Sequence, residues 1–270
     1  MLRYLAELYR YRGLLFRLAG KDVRVRYKSA LLGWLWSLIV PLSISAIFFV
    51  IFTYVAPVPK TGVPFFLFLL AAVFPWMFFA NSVSHATMCV LESGALIKKH
   101  RFPRAVIPLA VVMSQVTNFC AGLVIVIGVV LVHGMPLTLW MGLLPVAVGL
   151  ELLLTAGVAL CVSLLQVHYR DVKYVVELSL LLGFYLTPIF YPVALVGGSP
   201  PWVQAAYLAN PMVHIVELFR LSLLGAAAGP AVLPPLATVA AAAVTATGFF
   251  AAGISLFTRH EGTLADWVLG

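Results

Sequence analysis

The chain has 270 residues, of which 63% are hydrophobic and only 10% charged, with a formal net charge of +8. A soluble domain is nearer half apolar and a quarter charged, so this composition excludes a chain whose main solvent is water. Its basic segments are too short to form a domain of their own, which argues against nucleic-acid binding.

Residues 1–30 precede the first long apolar run. Tyr4, Leu8, Tyr11, Leu15 and Leu18 recur at steps of four and three along one helix face, while Arg3, Glu7, Arg10, Arg17, Lys21 and Arg24 follow another. A basic helix with an apolar stripe lies in the membrane interface, its cations toward lipid phosphates. The expectation is a helix packed under the first span, lining the cytoplasmic entrance. A cleavable signal is not expected, because 30 mixed residues come first and the run behind them is of full spanning length.

Six runs then approach or exceed the roughly 20 apolar residues a crossing helix needs: Leu31 to Val55, Phe65 to Met88, Ala105 to Val132, Leu143 to Gln166, Tyr174 to Pro192 and Val232 to Phe257. The predicted fold class is an all-α polytopic membrane protein with a single transmembrane domain. Residues 31–192 carry spans one to five, 193–231 an outer gate region, 232–257 span six and 258–270 a cytoplasmic tail. Lys and Arg concentrate before span one, between spans two and three, between four and five, and after six, with only Lys60 and Arg220 on the other side. The positive-inside rule therefore places both termini in the cytoplasm. Pro41 and Pro75 fall inside spans one and two, where each removes a backbone hydrogen bond and favours curvature around a cavity.

Between spans five and six, Gly197, Gly198, Pro200, Pro201, Asn210 and Pro211 bound two short apolar pieces, Trp202 to Leu208 and Met212 to Leu224. Neither is long enough to span. Such pieces read as re-entrant or interfacial helices bordering a cavity, and a gate at the outer mouth is the expectation. Two carboxylates, Glu151 and Glu177, fall within apolar spans. Intramembrane carboxylates are functional candidates because their burial is costly, so a stand-alone channel or ion-coupled carrier using this pair is the alternative reading. Cys89, Cys120 and Cys161 are scattered without CxxC spacing, no carboxylate or HExxH cluster suggests an intramembrane enzyme, and no GxxxxGK[ST] loop occurs. Any ATP must be bound by another polypeptide.

Five stretches together resemble a known family. Arg26-Tyr27-Lys28-Ser29 with Leu32-Gly33-Trp34-Leu35-Trp36 and Pro41, Phe74-Pro75-Trp76 with Phe78-Phe79-Ala80-Asn81-Ser82, and Leu96-Ile97-Lys98-Lys99 with Phe102-Pro103 and Pro108 come first. Tyr169-Arg170-Asp171-Val172 with Tyr185-Leu186-Thr187-Pro188-Ile189 and Tyr191-Pro192, then Asn210-Pro211-Met212, complete the set. In that order they resemble the permease subunits of bacterial ABC exporters of cell-surface polysaccharides, the O-antigen, teichoic acid and capsule exporters. The resemblance implies six spans per subunit, a homodimer in the inner membrane, and two copies of a separate ATPase that binds ATP and Mg and drives a lipid-linked polysaccharide outward. It implies no cofactor on this chain and no catalytic or metal-binding residue.

By the same resemblance, Val90 to Arg104 carries the helix that couples to the ATPase, with Glu92, Lys98, Lys99, Arg101, Phe102 and Pro103 at that surface. Arg24, Arg26, Tyr27, Tyr169, Arg170 and Asp171 are expected at the cytoplasmic entrance. Trp202, Asn210, Pro211, Glu217 and Arg220 are expected at the outer gate. C–H groups on sugar rings pack on aromatic faces, and Trp34, Trp36, Phe74, Trp76, Phe78, Phe79, Phe184 and Tyr185 are the expected glycan-channel residues.

Overall fold

The computed structural model describes residues 2–28, 35–55, 62–100, 102–135, 138–229 and 233–262, and the regular structure among them is entirely helical. Trp34, Arg101 and the Tyr27 side chain lie outside the described residues. Two short helices, α1 (Leu2–Arg10) and α2 (Arg12–Tyr27), come first. Then follow α3 (Trp36–Val50), ending in a π turn at Ile51–Val55, α4 (Phe65–Glu92), α5 (Gly94–Lys99) and α6 (Val106–Val132). A 3₁₀ turn at Leu139–Leu143 leads into α7 (Leu144–His168), followed by α8 (Val172–Leu186), α9 (Pro201–Ala209), α10 (Pro211–Leu224) and α11 (Pro235–His260).

Five of these helical stretches are long and apolar enough to cross a bilayer: Trp36–Val55, Phe65–Glu92, Val106–Val132, Leu139–His168 and Pro235–His260. The predicted fifth crossing is different. Its helix, α8, has 15 residues, about 22 Å at 1.5 Å per residue, against a hydrocarbon core of about 30 Å. It stops at Leu186 because Pro188 cannot donate to the ladder and restrains Thr187 from α geometry, and Thr187 is extended.

The centre of the bundle is α4. A helix that is apolar all round belongs inside, and α4 is buried without interruption from Leu67 to Trp76. It packs on α3, α6, α7, α8 and α10. In a membrane, small residues let helices approach closely where no hydrophobic effect drives association. A Cβ on Gly122 would meet the Phe74 ring at 2.2 Å, and one on Gly157 would meet the Phe250 backbone nitrogen at 2.4 Å. The α7–α11 contact is closed from the other side by Gly253, whose added Cβ would lie 2.8 Å from the Gly157 carbonyl. Pro41 and Pro75 sit inside continuous helices, and Ser45 donates to the Pro41 carbonyl at 2.8 Å.

At the basic end of the bundle, α1 and α2 form a cap. Tyr4 and Leu8 are buried with Cys89, Val90, Ile97, Val106, Leu164, Ile254 and Phe257, which joins the ends of α4, α6, α7 and α11 to α5. The predicted single interface helix is thus two helices meeting at Tyr11, and α2 packs chiefly along α6, the third span, not beneath the first. Asp22 explains the choice: its carboxylate accepts from Ser114 of α6 at 2.5 Å and pairs with Arg26 at 2.7 Å.

Candidate transport pathway and coupling surface

The segment after α4 folds back as a small amphipathic turn. Ile97 of α5 is buried in the cap, while Glu92, Lys98, Lys99 and His100 face outward. Phe102 packs against the same cluster, and Pro103 is buried. The result is a charged knuckle anchored by apolar residues, at the end of the molecule where the other basic segments gather. Arg104 closes it. Its backbone N–H donates to Glu261 Oε1 at 2.8 Å, and its guanidinium donates to the Glu261 carbonyl. Burial, and then the neighbouring Glu261 carboxylate, pushes the Tyr4 phenol well above its ordinary range.

On the same end, the α7–α8 turn exposes Tyr169, Arg170 and Asp171, and Gln166 donates to the Arg170 carbonyl at 3.1 Å. Its neighbour is α11, through the His168 and His260 rings at 5.5 Å. Arg24 is exposed on α2 and bonds back to the Gly20 carbonyl at 3.2 Å. The expected entrance residues thus occupy two places, one held to α6 and one to α11.

The aromatic residues divide into two sets. Phe74 presses on Gly122 and Phe78 stacks on Phe119 with ring centroids 4.7 Å apart. Both rings are buried against α6, which makes them packing residues instead of open channel wall. Trp76, Phe79, Phe184 and Tyr185 belong to a continuous array instead. Phe65, Phe52, Phe48 and Phe190 lead through Phe184 to Trp76 and Phe79, with neighbouring centroids 4.5–6.3 Å apart. These separations suit offset and edge-on ring packing. Within the array Tyr185 is 56% exposed and Phe79 and Phe184 are half-buried. Trp36, also exposed, stands at the start of α3. Gly183 lets α8 reach Trp76: an added Cβ there would meet the indole at 2.8 Å.

From Leu186 the chain runs without helix through a bent segment to Pro192, in which the Ile189 N–H donates to the Thr187 carbonyl at 2.7 Å, passes a 3₁₀ turn at Val193–Gly198, and returns as a helical hairpin, α9 and α10. Its tip is Asn210-Pro211. Asn210, Pro211 and Met212 line an open apolar cavity of about 890 Å³ together with Trp76, Phe79 and Phe249. Those three rings lie near the middle of α4 and α11, so the hairpin tip reaches the middle of the bundle. The far end of α10 lies beside Phe68 and Pro235, at the opposite ends of the same helices. The hairpin therefore runs from the non-basic end to the middle of the bundle and back.

Polar contacts tie this hairpin to the interrupted segment. Asn210 caps α10 by accepting from the Met212 N–H at 3.0 Å, and its amide donates to Thr187 Oγ1 at 3.0 Å. The hydroxyls of Tyr191 and Tyr207 are 2.5 Å apart. Arg220 is 2% exposed; it donates to the Ile189 carbonyl at 2.8 Å and to Glu217 at 3.3 Å, and stacks 3.6 Å over the Phe68 ring. One buried cation thus joins α10, α4 and the bent segment after α8. Trp202, by contrast, is 74% exposed on α9.

Glu151 and Glu177 are not brought together. Glu151 is completely buried on α7, and neither carboxylate oxygen has a hydrogen-bond partner among the described residues. Glu177 is exposed on α8. Among the described residues no cluster of three or more His, Cys, Asp or Glu side chains forms a metal site.

The model of the ABC-2 type transporter family matches residues 14–224, most of the chain, from within α2 to the end of α10. The chain belongs to that family. This ABC-2 transporter is 33% identical over 208 residues to an O-antigen export system permease protein, RfbA, of Klebsiella pneumoniae, covering 77% of this chain and 78% of that one. It is 30% identical over 221 residues to the RfbA permease of Myxococcus xanthus, covering 82% and 84%. The polysialic acid transport protein KpsM of Escherichia coli is 22% identical over 203 residues, covering 74% and 77%.

Several residues of this ABC-2 transporter were not singled out from sequence for their site. Phe48, Phe52, Phe65 and Phe190 complete the aromatic array, and Tyr207 partners Tyr191. Their signal was only aromatic content spread over several helices. Glu261, in the predicted tail, gave no signal, because its partner Arg104 is 157 residues away.

Proposed function

We propose that this chain is the membrane permease of an ATP-driven exporter that carries a lipid-linked polysaccharide from the cytoplasmic to the outer face of the bacterial inner membrane. The observation that carries the reading is the near full-length similarity to O-antigen export permeases within the ABC-2 family. The chain acts as the transport subunit without an ATPase of its own. Two copies pair with two copies of a separate ATPase, which binds ATP and Mg.

In this reading the basic end is cytoplasmic, as the positive-inside rule requires, and both termini lie there. The knuckle around α5 seats on the ATPase, with Lys98, Lys99 and Glu92 outward. The chain crosses six times. The fifth crossing is completed by the non-helical residues 187–192, which continue the chain beyond the roughly 22 Å of α8. An interrupted helix is tolerated at this depth only against protein or a cavity, and the α9–α10 hairpin supplies that protein wall. The same hairpin is the outer gate, with Asn210-Pro211 at its tip and Arg220 as its root. Exposed Tyr185 and the half-buried Phe79 and Phe184 offer rings along which sugar faces slide. The exposed apolar faces of α3 and α8, from Ile47 to Tyr54 and from Tyr174 to Leu186, are covered by the second copy.

The test is to replace Lys98, Lys99 and Arg101 together with Glu in cells that also express the cognate ATPase. Like charges at a docking surface disfavour association, so surface polysaccharide on intact cells is expected to fall while permease abundance in the membrane stays normal. Unchanged export at normal abundance would remove the coupling assignment. Substantial ATP hydrolysis by the purified permease alone in nanodiscs would remove the two-component reading.

A further inference from the structure

The joint between Arg104 and Glu261 connects the α5 knuckle to the last helix of the bundle. Arg104 is the last residue of the coupling segment, two residues before α6 begins, and Glu261 follows the last residue of α11. Two bonds cross the joint in register: the Arg104 N–H to the Glu261 carboxylate, and the Arg104 guanidinium to the Glu261 main-chain carbonyl. Bonds to charged groups are stronger than neutral ones, and a pair of them fixes orientation as well as distance.

Beyond the joint the route is rigid. The α11 helix lies against α7 with backbone-to-backbone contact at Gly157 and Gly253, where a Cβ would not fit on either side. At their other ends both helices pack on α10, the inner arm of the hairpin. Displacement of the knuckle therefore has a contiguous path of packed helices to the outer hairpin, and the joint is its narrowest point. Tyr4 and Phe257 pack beside it, so α1 covers the joint from the solvent side.

We infer that Glu261 is the positioning residue that makes α11 follow the coupling segment, and so conveys the ATPase stroke to the outer hairpin. This rests on the exporter reading above. The acceptor oxygen is the essential feature. Glutamine keeps an oxygen for the Arg104 N–H, whereas alanine removes it and leaves only the main-chain carbonyl contact.

The experiment compares wild type, Glu261→Ala and Glu261→Gln, each co-expressed with the cognate ATPase. Three readouts are taken: co-purification of the ATPase, ATP hydrolysis by the complex in nanodiscs, and surface polysaccharide on intact cells. For Glu261→Ala the complex is expected at wild-type yield with hydrolysis retained. Export relative to hydrolysis is expected to fall about fivefold or more, the lower bound of typical coupling between sites. Glu261→Gln is expected to restore most of that ratio, a rescue that a charge-dependent or general folding role would not give. Unchanged coupling in Glu261→Ala, equal loss in both variants, or loss of the complex would each overturn the inference while leaving the exporter reading in place. Failure of the wild-type complex to show any ATP-dependent export would overturn the exporter reading itself, and the inference with it.

Discussion

Replacing Arg220 with methionine tests whether the buried cation is the root of the outer hairpin. The side chain is 2% exposed and has three partners on different elements: the Ile189 carbonyl at 2.8 Å, Glu217 at 3.3 Å and the Phe68 ring at 3.6 Å. Methionine keeps most of the volume but removes all three contacts. It leaves the Glu217 carboxylate, only 15% exposed, without its counter-charge, and breaking a buried pair in this way costs about 3–5 kcal/mol. The orphaned Ile189 carbonyl is one part of the defect, worth about 1–3 kcal/mol on its own. Replacing Glu217 with methionine as well removes the uncompensated charge, so the double variant should retain mainly the carbonyl penalty and recover about 2 kcal/mol relative to Arg220→Met, within the range that double-mutant cycles find for contacting residues. Unfolding of the purified protein in mixed micelles, titrated with a denaturing detergent, measures all four corners of this cycle. A cost below about 1 kcal/mol for Arg220→Met, or a double variant no more stable than the single one, would refute the argument that this cation holds the segment.

Three further outcomes follow from the geometry. Gly157→Val places a side chain where even a Cβ would sit 2.4 Å from the Phe250 backbone; it should lower stability in the same titration by at least the 1–3 kcal/mol of ordinary overpacking, whereas Gly149→Val, with open space around it, should not. Asn210→Ala loses both the α10 cap and the bond to Thr187, at a cost of about 1–2 kcal/mol; Asn210→Ser, which keeps a capping oxygen, should recover part of it. In a background lacking Cys89, Cys120 and Cys161, a single cysteine at exposed Trp202 should label from outside. Cysteines along buried Met212 to Leu224 should be protected until the transporter is held with ATP bound, and uniform labelling regardless of nucleotide would remove the gate.

Composition and charge placement alone determined that this is a polytopic all-α membrane protein, because a hydrocarbon solvent demands long apolar helices and the Lys and Arg residues have to stay near one surface. The motifs that carry the family resemblance were equally legible, since each is a short contiguous run. The two short helices α9 and α10 were visible as apolar pieces too short to cross, punctuated at Asn210-Pro211. The sequence did not separate packing rings from open ones: Phe74 and Phe78 point into α6 and Phe79 and Phe184 do not, and a helix apolar on every side carries no pattern that marks its inner face. The end of the fifth helix at Leu186 was misplaced at Pro192, because hydropathy continues through a bent, non-helical segment as it does through a helix. Partners that meet only after folding decided the rest. Asp22 with Ser114, Arg220 with Ile189 and Arg104 with Glu261 lie 92, 31 and 157 residues apart. No local propensity encodes a hydrogen bond over such distances; only the packing of the helices brings its two halves together.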